Sequence, residues 1–447
     1  MFAYKGELAM PKKKTALTIE ERLQQALVPA EEQPYEVPEN WVWVRLGEVN
    51  KYVSKSVNPI SEPDKIFELY SVPSMADDYP EIIAGSDIGS SKQSVCKEDV
   101  LLCKINPRIN RVWKVSQFTD NELIASSEWI IIRNNHINAN YLMYCFQSKY
   151  FREFMLSNVS GVGGSLMRAQ PKYVQTYPIP LPPLSEQQRI VESIEELFAK
   201  LDEAKERLQE VADSFAVRKA AILHKAFTGE LTKQWRWENG VRDESWEEKK
   251  LSEITENQDS KRIPLSKSQR DNMNRIYDYY GASGIIDKVD DYIFEGKKLL
   301  IGEDGANLVT RSKDIAFIAD GKYWVNNHAH ILDVKDTVLL MYLCNYVNNM
   351  DLIPYVTGSA QPKLTQAKMN NIKIFLPTLP EQHEIVRLID DLLARERAAQ
   401  QAAEQALASI DLMKKSILAR AFRGELGTNK ASEASALELL KQVLAEN

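Results

Sequence analysis

One stretch of the chain combines cationic and amide side chains and contains no acidic residue. Leu101 to Ser116 reads LLCKINPRINRVWKVS and carries Lys104, Arg108, Arg111 and Lys114. Lysine and arginine bind phosphate groups, and the local field, more than the total charge, decides whether a surface holds an anion. This stretch is therefore a candidate anion-binding surface.

Two patterns point towards catalysis, but neither is complete. Asp287 with Glu295 and Lys297 faintly resembles the acid spacing of a magnesium-dependent nuclease, yet this spacing is common in charged hairpins. Asn106 and Pro107 resemble part of the substrate clamp of an adenine methyltransferase, but no glycine-rich cofactor loop precedes them. A GxxxxGK(S/T) phosphate loop does not occur in the sequence. We therefore predict a chain without an active site of its own.

Histidine and cysteine usage predicts no metal site. His328 and His330 form the one metal-like pair, and two histidines on a strand are more often hydrogen-bonded than ligating. The cysteines form no CxxC pair, which predicts small buried residues in a reducing compartment and neither a disulfide nor a zinc site. They are Cys96, Cys103, Cys145 and Cys344.

The elements that position these residues repeat along the chain. Pro182 to Leu231 aligns without a gap with Pro377 to Leu426, and such repeats define the architecture of a chain. The copies begin PPLSEQ and PTLPEQ and end AFTGEL and AFRGEL, which are start and stop signals of a helix. The sequence therefore predicts one long helix twice, each about 60 Å long at roughly 1.5 Å per residue.

Apolar residues in both copies recur at steps of three and four, which is the seam of a coiled coil. The pattern is broken once, at Glu396. Neither helix can bury its apolar stripe alone, so we predict antiparallel pairing of the two copies and an internal pseudo-two-fold repeat. The seam positions are Ile190, Ile194, Leu197, Leu201, Leu208, Val211, Phe215, Ile385, Ile389, Leu392, Ile410, Met413 and Ile417.

The segments before the two helices also match each other, since Trp41 aligns with Trp246 and Leu46 with Leu251. Short apolar runs such as KIFELYSV and KKLLIG predict strands, and one apolar helix follows in each segment, from Asn140 and from Val338. The predicted fold class is α+β, with two mixed α/β domains separated by the long helices. The predicted segments are an N-terminal tail and short helix (1–38), the first mixed domain (39–181), the first spacer helix (182–231), a connector with the second mixed domain (232–376), the second spacer helix (377–426) and a C-terminal linker and helix (427–447).

The composition predicts a soluble, cytoplasmic protein. Of 447 residues, 44% are hydrophobic and 27% are charged, as in globular domains. No apolar run is long enough to span a bilayer, and Met1 to Thr15 lacks the apolar core of a signal peptide. The formal net charge of -7 argues against nucleic acid, but residues 50–180 and 255–375 are each close to neutral, so the acidity lies in the helices and termini.

The order of mixed domain, helix ending AFTGELTKQWRWEN, mixed domain and helix ending SILARAFRGEL closely resembles the specificity subunit of type I restriction-modification enzymes. The resemblance covers Glu39 to Leu426. It implies two target-recognition domains, each reading one half of a split double-stranded DNA sequence, and an antiparallel helical spacer. It also implies two methylation subunits and two restriction subunits as partners. S-adenosylmethionine for adenine methylation, and ATP and Mg²⁺ for cleavage, are expected on those partners and not on this chain.

Turns between strands carry the residues best suited to a major groove, where arginine and lysine match guanine and asparagine and glutamine match adenine. The resemblance does not carry base-reading residues over by motif, because these domains vary with their target. Two domains of different sequence are expected to read different half-sites about one helical turn, roughly 34 Å, apart. The candidate DNA contacts are Ser74, Lys104, Asn106, Arg108, Asn110, Arg111, Arg168, Lys172, Tyr280, Ser283, Asn307, Arg311, Gln361 and Lys363.

Two alternatives remain open. Glu186, Gln187, Glu381 and Gln382 are predicted to dock the methylation subunits, but they are equally suited to cap the helix starts. The whole chain is alternatively a coiled-coil scaffold with two protein-binding domains and no sequence-specific DNA role. The acidic total favours the scaffold, and the family resemblance disfavours it.

Overall fold

The computed structural model describes residues 17–161, 167–242, 245–358 and 360–445. Two stretches of interest in the sequence lie outside these residues. They are the basic cluster Lys12 to Lys14, which is predicted to be a solvated tail, and Gly163 to Leu166, which is predicted to be a flexible turn. The chain divides into two compact units, residues 1–206 with 407–447 and residues 207–406. Each unit contains one mixed domain, part of the long helix that follows this domain, and part of the other long helix.

The strands of the first mixed domain are β1 (Val42–Arg45), β2 (Ser56–Val57), β3 (Ile66–Tyr70), β4 (Glu81–Ala84), β5 (Lys92–Ser94), β6 (Val100–Cys103), β7 (Val112–Lys114), β8 (Glu122–Ala125), β9 (Trp129–Ile132), β10 (Val159–Ser160), β11 (Arg168–Ala169) and β12 (Pro178–Leu181). The predicted run KIFELYSV forms β3. By contrast, β4, β5 and β8 have three or four residues each, too few for a sequence pattern, and exist through pairing within the sheet that contains β3.

The helices of the first domain are α1 (Ile19–Ala26), α2 (Leu46–Val49), α3 (Ala139–Gln147), α4 (Lys149–Ser157) and α5 (Pro171–Val174). The single helix predicted from Asn140 is divided in the structure at Ser148, where the backbone is extended. The Ser148 hydroxyl accepts a hydrogen bond from the amide of Phe151 at 3.3 Å and so starts a new helix, as serine does at an N-cap.

The first long helix comprises α6 (Leu184–Asp213) and α7 (Phe215–Phe227), and α8 (Lys233–Asn239) follows it. The second mixed domain contains β13 (Glu247–Lys250), α9 (Leu251–Ile254), β14 (Glu256–Asn257), α10 (Lys267–Arg270), β15 (Tyr277–Gly281), β16 (Gly284–Val289), β17 (Phe294–Glu295), β18 (Lys298–Gly302), α11 (Asn307–Thr310), β19 (Ala316–Ala319), β20 (Lys322–Val325), β21 (Ala329–Asp333), α12 (Thr337–Asn349), α13 (Gln366–Asn370) and β22 (Lys373–Leu376). The second long helix is α14 (Leu379–Ala421), and α15 (Ala436–Ala445) is the last element.

The two mixed domains share one sheet plan. The first has sheets of order β2-β5-β8-β3-β4 and β7-β6-β9, and the second has sheets of order β16-β15-β20-β17 and β14-β21-β18-β19. In each domain one central pair is parallel, β3 with β8 and β15 with β20. In each domain the first strand also pairs antiparallel with the last, β1 with β12 and β13 with β22. The sequence repeat is therefore a repeat of structure.

Ser214 separates α6 from α7, so the first spacer helix is not continuous as predicted. Its hydroxyl donates a hydrogen bond to the carbonyl of Glu210 at 2.6 Å, a local bond that bends helices. Arg218 donates to Ser214 and to the carbonyl of Val211 at 3.1 Å, and it forms an ion pair with Glu396. Glu396, which breaks the apolar seam, therefore holds the arginine that spans the interruption at Ser214.

Antiparallel pairing of the helices is confirmed within each unit. In the first unit, Asp202 of α6 binds Lys414 of α14 at 2.6 Å, and Ile190 lies in one core with Leu418. The seam itself is only partly buried. Ile190, Ile194, Ile385, Ile389 and Ile410 are buried. Leu197, Val211 and Met413 are exposed, because a pair of helices without a further layer covers only part of each stripe. Leu201, Leu208, Phe215, Leu392 and Ile417 are half-buried.

The repeated AFxGEL end attaches each helix to a mixed domain. In the first unit Phe422 lies 5.3 Å from Tyr141 of α3 between ring centroids, and in the second Phe227 lies 5.4 Å from Tyr342 of α12. The glycine after each helix has positive φ, 73° in the first unit and 76° in the second, which favours glycine and ends the helix.

The C-terminal helix α15 packs in the core of the first unit, through Leu440 and Val443. Its end is bound by Arg22, whose guanidinium donates to the carbonyl of Leu444 at 2.8 Å. Of the cysteines, Cys103 and Cys145 are buried and Cys344 is half-buried, but Cys96 is exposed, contrary to the prediction. No helix among the described residues is long and apolar enough to cross a membrane.

Candidate nucleic-acid interface

In the first domain, three segments distant in sequence meet where β6 ends. The amide of Lys104 donates to the carbonyl of Glu128 at 3.0 Å, just before β9. The carbonyl of Lys104 accepts from the amide of Ala169 at 2.8 Å, and the amide of Asn106 donates to Met167 at 2.8 Å. The structure therefore joins the basic stretch at Lys104 to the segment that carries Arg168.

The second domain builds the same junction where β18 ends. The amide of Glu303 donates to the carbonyl of His328 at 2.9 Å, and the carbonyl of Glu303 accepts from Leu364 at 2.7 Å. The amide of Gly305 donates to Pro362 at 3.1 Å. These bonds bring the segment of Gln361 and Lys363 to the end of the sheet, as for Arg168 in the first domain.

The cations of the first junction share one carboxylate. The Arg168 guanidinium donates from Nη1 to both carboxylate oxygens of Glu128, at 3.0 and 2.9 Å. Lys104 Nζ lies 4.0 Å from Glu128 and donates to the carbonyl of Ser127 at 2.6 Å. Arg108 is exposed on the short turn of residues 107–109, and its carbonyl accepts a hydrogen bond from Arg152. Glu128 also belongs to this site, although the sequence analysis did not predict it because it considered basic and amide side chains.

The other candidates of the first domain differ in exposure. Asn110 has φ of 50°, and its side-chain amide donates to the carbonyl of Gln147 at 3.1 Å, which ties the loop to α3. Ser74 is buried and bonded to Ser71. Arg111 is half-buried, and Lys172 is exposed on α5 with its ammonium 4.7 Å from the ring centre of Tyr173. The side chains of Asn110 and Ser74 are therefore hydrogen-bonded within the domain, and a role in DNA contact stays a prediction.

Two candidates of the second domain, Arg311 and Asn307, form hydrogen bonds within the domain. Arg311 donates from Nη2 to the carbonyls of Val347, Asn348 and Met350, at 3.1, 2.6 and 3.3 Å, and so caps the end of α12. Burial lowers the pKa of Arg311. Asn307 donates to the carbonyl of Lys313 at 3.1 Å and accepts from the amide of Lys313 at 3.0 Å, closing its own loop.

Tyr280 is buried and stacks on Phe317 at 5.8 Å between centroids. Ser283, at the turn between β15 and β16, and Gln361 are exposed. Lys363 Nζ lies 3.1 Å from Glu303, a carboxylate that also accepts from Arg262 at 2.7 Å. Of the second-domain set, Ser283, Gln361 and Lys363 keep the exposure that a DNA contact needs.

A buried charge network lies beneath Lys363. His330 is fully buried, with Nδ1 2.6 Å from Asp259 and Nε2 2.7 Å from the carbonyl of Leu364. Both partners are acceptors, so a ring protonated on both nitrogens satisfies both bonds. Burial acts to raise the pKa of Asp259 and of Glu303. Bonds to His330 and Arg262 outweigh it and lower both pKa values.

His328 and the suspected nuclease carboxylate have other partners. His328 Nδ1 lies 2.8 Å from Asp304, so the two histidines bind different carboxylates. Asp287 pairs with Arg270 at 2.9 Å and with Arg275 at 3.4 Å. Within the described residues, no group of three or more histidine, cysteine, aspartate or glutamate residues is arranged to hold a metal ion.

The predicted docking residues at the helix starts are buried. In the first unit, Glu186 accepts from Trp41 Nε1 at 2.7 Å and from Asn429 at 2.8 Å. In the second unit, Glu381 accepts from Arg236 and from Thr232, each at 2.7 Å. Gln187 and Gln382 are also buried and donate to the carbonyls of Pro182 and Pro377. Their side chains face the interior because they tie each helix start to its own unit, so they offer no docking surface.

Most of the sequence matches a known protein family. The profile named "Type I restriction modification DNA specificity domain" matches residues 38–213 and 243–406. The Haemophilus influenzae type I restriction enzyme specificity subunit S.HindORF215P is 40% identical over 147 residues, which are 33% of this chain and 37% of that protein. The StySPI specificity subunit of Salmonella potsdam is 26% identical over 340 residues, covering 69% of this chain and 72% of that protein.

The fold also matches a solved structure. The crystal structure of the HsdS subunit from Thermoanaerobacter tengcongensis superposes with a TM-score of 0.67 at 21% identity, covering 88% of this chain and 99% of the other. This likeness concerns the fold alone, whereas the family profile covers both mixed domains in the sequence. The chain therefore belongs to the family of type I restriction-modification specificity subunits and carries two of its DNA specificity domains.

Proposed function

We propose that each target-recognition domain reads one half of a bipartite, asymmetric DNA target, and that the long helices set the separation of the two halves. The observation that carries this proposal is the junction at the sheet end, which has the same backbone bonds in both domains but different side chains. Equivalent frames with different side chains suit two different half-sites. The scaffold alternative, without a DNA role, has no support from the family match.

The specificity subunits of this family are non-catalytic and work with the other subunits of the restriction-modification system and with DNA. We propose two methylation subunits on the exposed faces of the long helices, and two restriction subunits in the full complex. Exposed apolar residues on these helices, Val217, Leu412 and Met413, support a partner surface there. S-adenosylmethionine, ATP and Mg²⁺ would bind the partners, and the complex would methylate adenine and cleave DNA in the cytoplasm.

The proposed target is identified by mapping methylated adenines in the genome of the host. The expected result is a two-part motif with unlike halves and a constant gap, which disappears when the gene for this chain is deleted. A genome whose adenine methylation does not depend on this chain would contradict the proposal.

Arg108 and Arg111 test the first domain directly. Replacing both with alanine is expected to weaken target binding at least about 100-fold. The reason is that each arginine contact to a base or phosphate contributes on the order of 1–3 kcal/mol. Binding titrations of the full chain with its methylation subunit measure this loss, and gel filtration checks that assembly is intact.

The control variant removes two exposed cations outside the basic stretch, Lys55→Ala with Lys97→Ala. Lys55 precedes β2 and Lys97 precedes β6, so neither belongs to the segments that meet at the junction. The control is expected to bind the target nearly as well as the unmodified chain. Unchanged affinity and sequence preference in the Arg108 and Arg111 variant would exclude this surface as the DNA contact.

A further inference from the structure

The backbone bonds at the two junctions define three matched positions. The first position follows the central strand, β6 or β18. The second precedes the neighbouring strand, β9 or β21, and its carbonyl accepts a hydrogen bond from the amide of the first position. The third lies on the late segment that pairs with the residue directly after the first position. Each position can be compared between the domains without relying on sequence alignment. The matched pairs are Lys104 with Glu303, Glu128 with His328, and Arg168 with Lys363.

Each junction contains one glutamate that binds the cation at the third position. The glutamate itself occupies a different matched position in each domain. In the first domain it is Glu128 at the second position, and in the second domain it is Glu303 at the first. Each carboxylate binds the third-position cation, Arg168 at 2.9 Å and Lys363 at 3.1 Å. The cation and its acidic partner therefore recur together although the position of the acid does not.

The exposure of these pairs is unequal. The side chains of Arg168 and Lys363 are 52% and 49% exposed, whereas those of Glu128 and Glu303 are 27% and 11% exposed. DNA can therefore reach each cation, but a phosphate must compete with a carboxylate that lies beneath it. Carboxylate and phosphate oxygens accept the same charge-assisted hydrogen bonds from arginine and lysine, so the two anions exclude each other.

We propose that Glu128 and Glu303 compete with DNA phosphates for Arg168 and Lys363 and thereby weaken non-specific binding by both domains. The inference rests on the proposed DNA-reading function. Non-specific affinity comes almost entirely from phosphate contacts and released counterions, so a cation that is already neutralised adds little to it. The complex then binds DNA of random sequence more weakly. Contacts to bases therefore contribute a larger fraction of its affinity for the target.

The test in the first domain is Glu128→Gln in the full chain, assembled with its methylation subunit. The probe is a 40-base-pair duplex of random sequence, titrated at several salt concentrations. The variant is expected to bind about three- to fivefold more tightly than the unmodified complex, the range of an exposed ion pair, with a salt dependence steeper by about one unit. Adding Arg168→Ala is expected to remove this gain.

The matched control is Glu39→Gln, which removes the same charge from an exposed position where the first mixed domain begins. It is expected to leave non-specific binding unchanged. An equal gain in both variants would reduce the effect to net charge and overturn the proposal, as would no gain in Glu128→Gln. A folded wild-type complex that shows no preference for the methylated motif would instead overturn the proposed function.

In the second domain the test is Lys363→Ala, because Glu303 also binds Arg262 and its replacement disturbs the buried network. Since Lys363 is already neutralised, the variant is expected to keep its non-specific affinity and to change the salt slope by less than about half a unit. Arg108→Ala, whose cation is exposed, is the comparison and is expected to lower the slope by about one unit. An equal loss for Lys363→Ala would contradict the competition in this domain.

Discussion

Asp259 binds the buried His330 in the second mixed domain. It accepts from His330 Nδ1 at 2.6 Å and from the amide of Ile331 at 2.9 Å. Burial acts to raise the pKa of Asp259, but the hydrogen bond and charge of His330, together with hydrogen bonds from the Ile331 amide and from Asn257, hold the pKa below its ordinary value. A lowered carboxyl pKa stabilises the fold fully above the unfolded-state pKa, about 3.9, and this contribution is lost as pH falls through the folded-state pKa.

We therefore predict that Asp259→Asn lowers the stability of the second unit at pH 7 by on the order of 2 kcal/mol, because it weakens a buried charge-assisted bond. The gap between the variant and the unmodified chain should shrink as pH falls below about 4, because the Asp259 carboxyl of the unfolded chain gains a proton at a higher pH than that of the folded chain. Denaturant midpoints between pH 7 and pH 3 measure this. The control is the exposed Asp291→Asn, and a gap that does not change with pH would contradict the role of ionised Asp259.

At the scale of elements, the interruption of the first long helix at Ser214 and the charge of Glu396 are linked through Arg218. Arg218 binds the carbonyl of Val211 before the interruption and forms an ion pair with Glu396 on the facing helix. The carboxylate of this pair is more enclosed than that of the pair of Lys414 with Asp202 in the first unit, since the Glu396 side chain is 25% exposed and the Asp202 side chain is 56% exposed. A more enclosed pair is screened less by water and salt.

We expect a double-mutant cycle with Arg218→Ala and Glu396→Ala to give a coupling energy of about 0.5–1 kcal/mol. The same cycle with Lys414→Ala and Asp202→Ala serves as the internal comparison and should give a smaller value. Chemical denaturation measures both cycles. Equal coupling in the two pairs would contradict the stronger coupling expected of the more enclosed carboxylate.

At the scale of the whole molecule, each unit ties a helix start to its mixed domain through one buried glutamate. Glu186 in the first unit meets neutral donors, from Trp41 and Asn429. Glu381 in the second unit meets the guanidinium of Arg236 at 2.7 Å, and this ion pair is almost fully buried. The two units therefore use the same position with different charge balance.

This difference predicts unequal effects of the same substitution. Glu381→Gln removes the anion from a buried ion pair and is expected to destabilise the protein by about 3 kcal/mol. Glu186→Gln keeps the size of the side chain and one acceptor oxygen for Trp41 and Asn429, and its amide group can donate to the Thr428 hydroxyl, so it should cost about 1 kcal/mol or less. Thermal unfolding of both variants tests the order, and a larger effect of Glu186→Gln would contradict the assignment.

The sequence by itself determined the repeat, the helix starts and stops, and the antiparallel pairing within each unit. These features depend on local signals, such as the apolar period of Ile190 and Ile194 and the glycine of AFxGEL, which act through residues close in the chain. The basic stretch at Lys104 and Arg108 was also visible, because its charge pattern needs no distant partner.

The tertiary structure alone decided which polar side chains face solvent. Arg311 has the same composition signal as Arg108, but it caps α12 through carbonyls of residues 347–350, far along the chain. Glu186 and Glu381 are inside for the same reason, since their donors come from separate segments. A buried polar group must find hydrogen-bond partners, and those partners lie at sequence distances that no local pattern records.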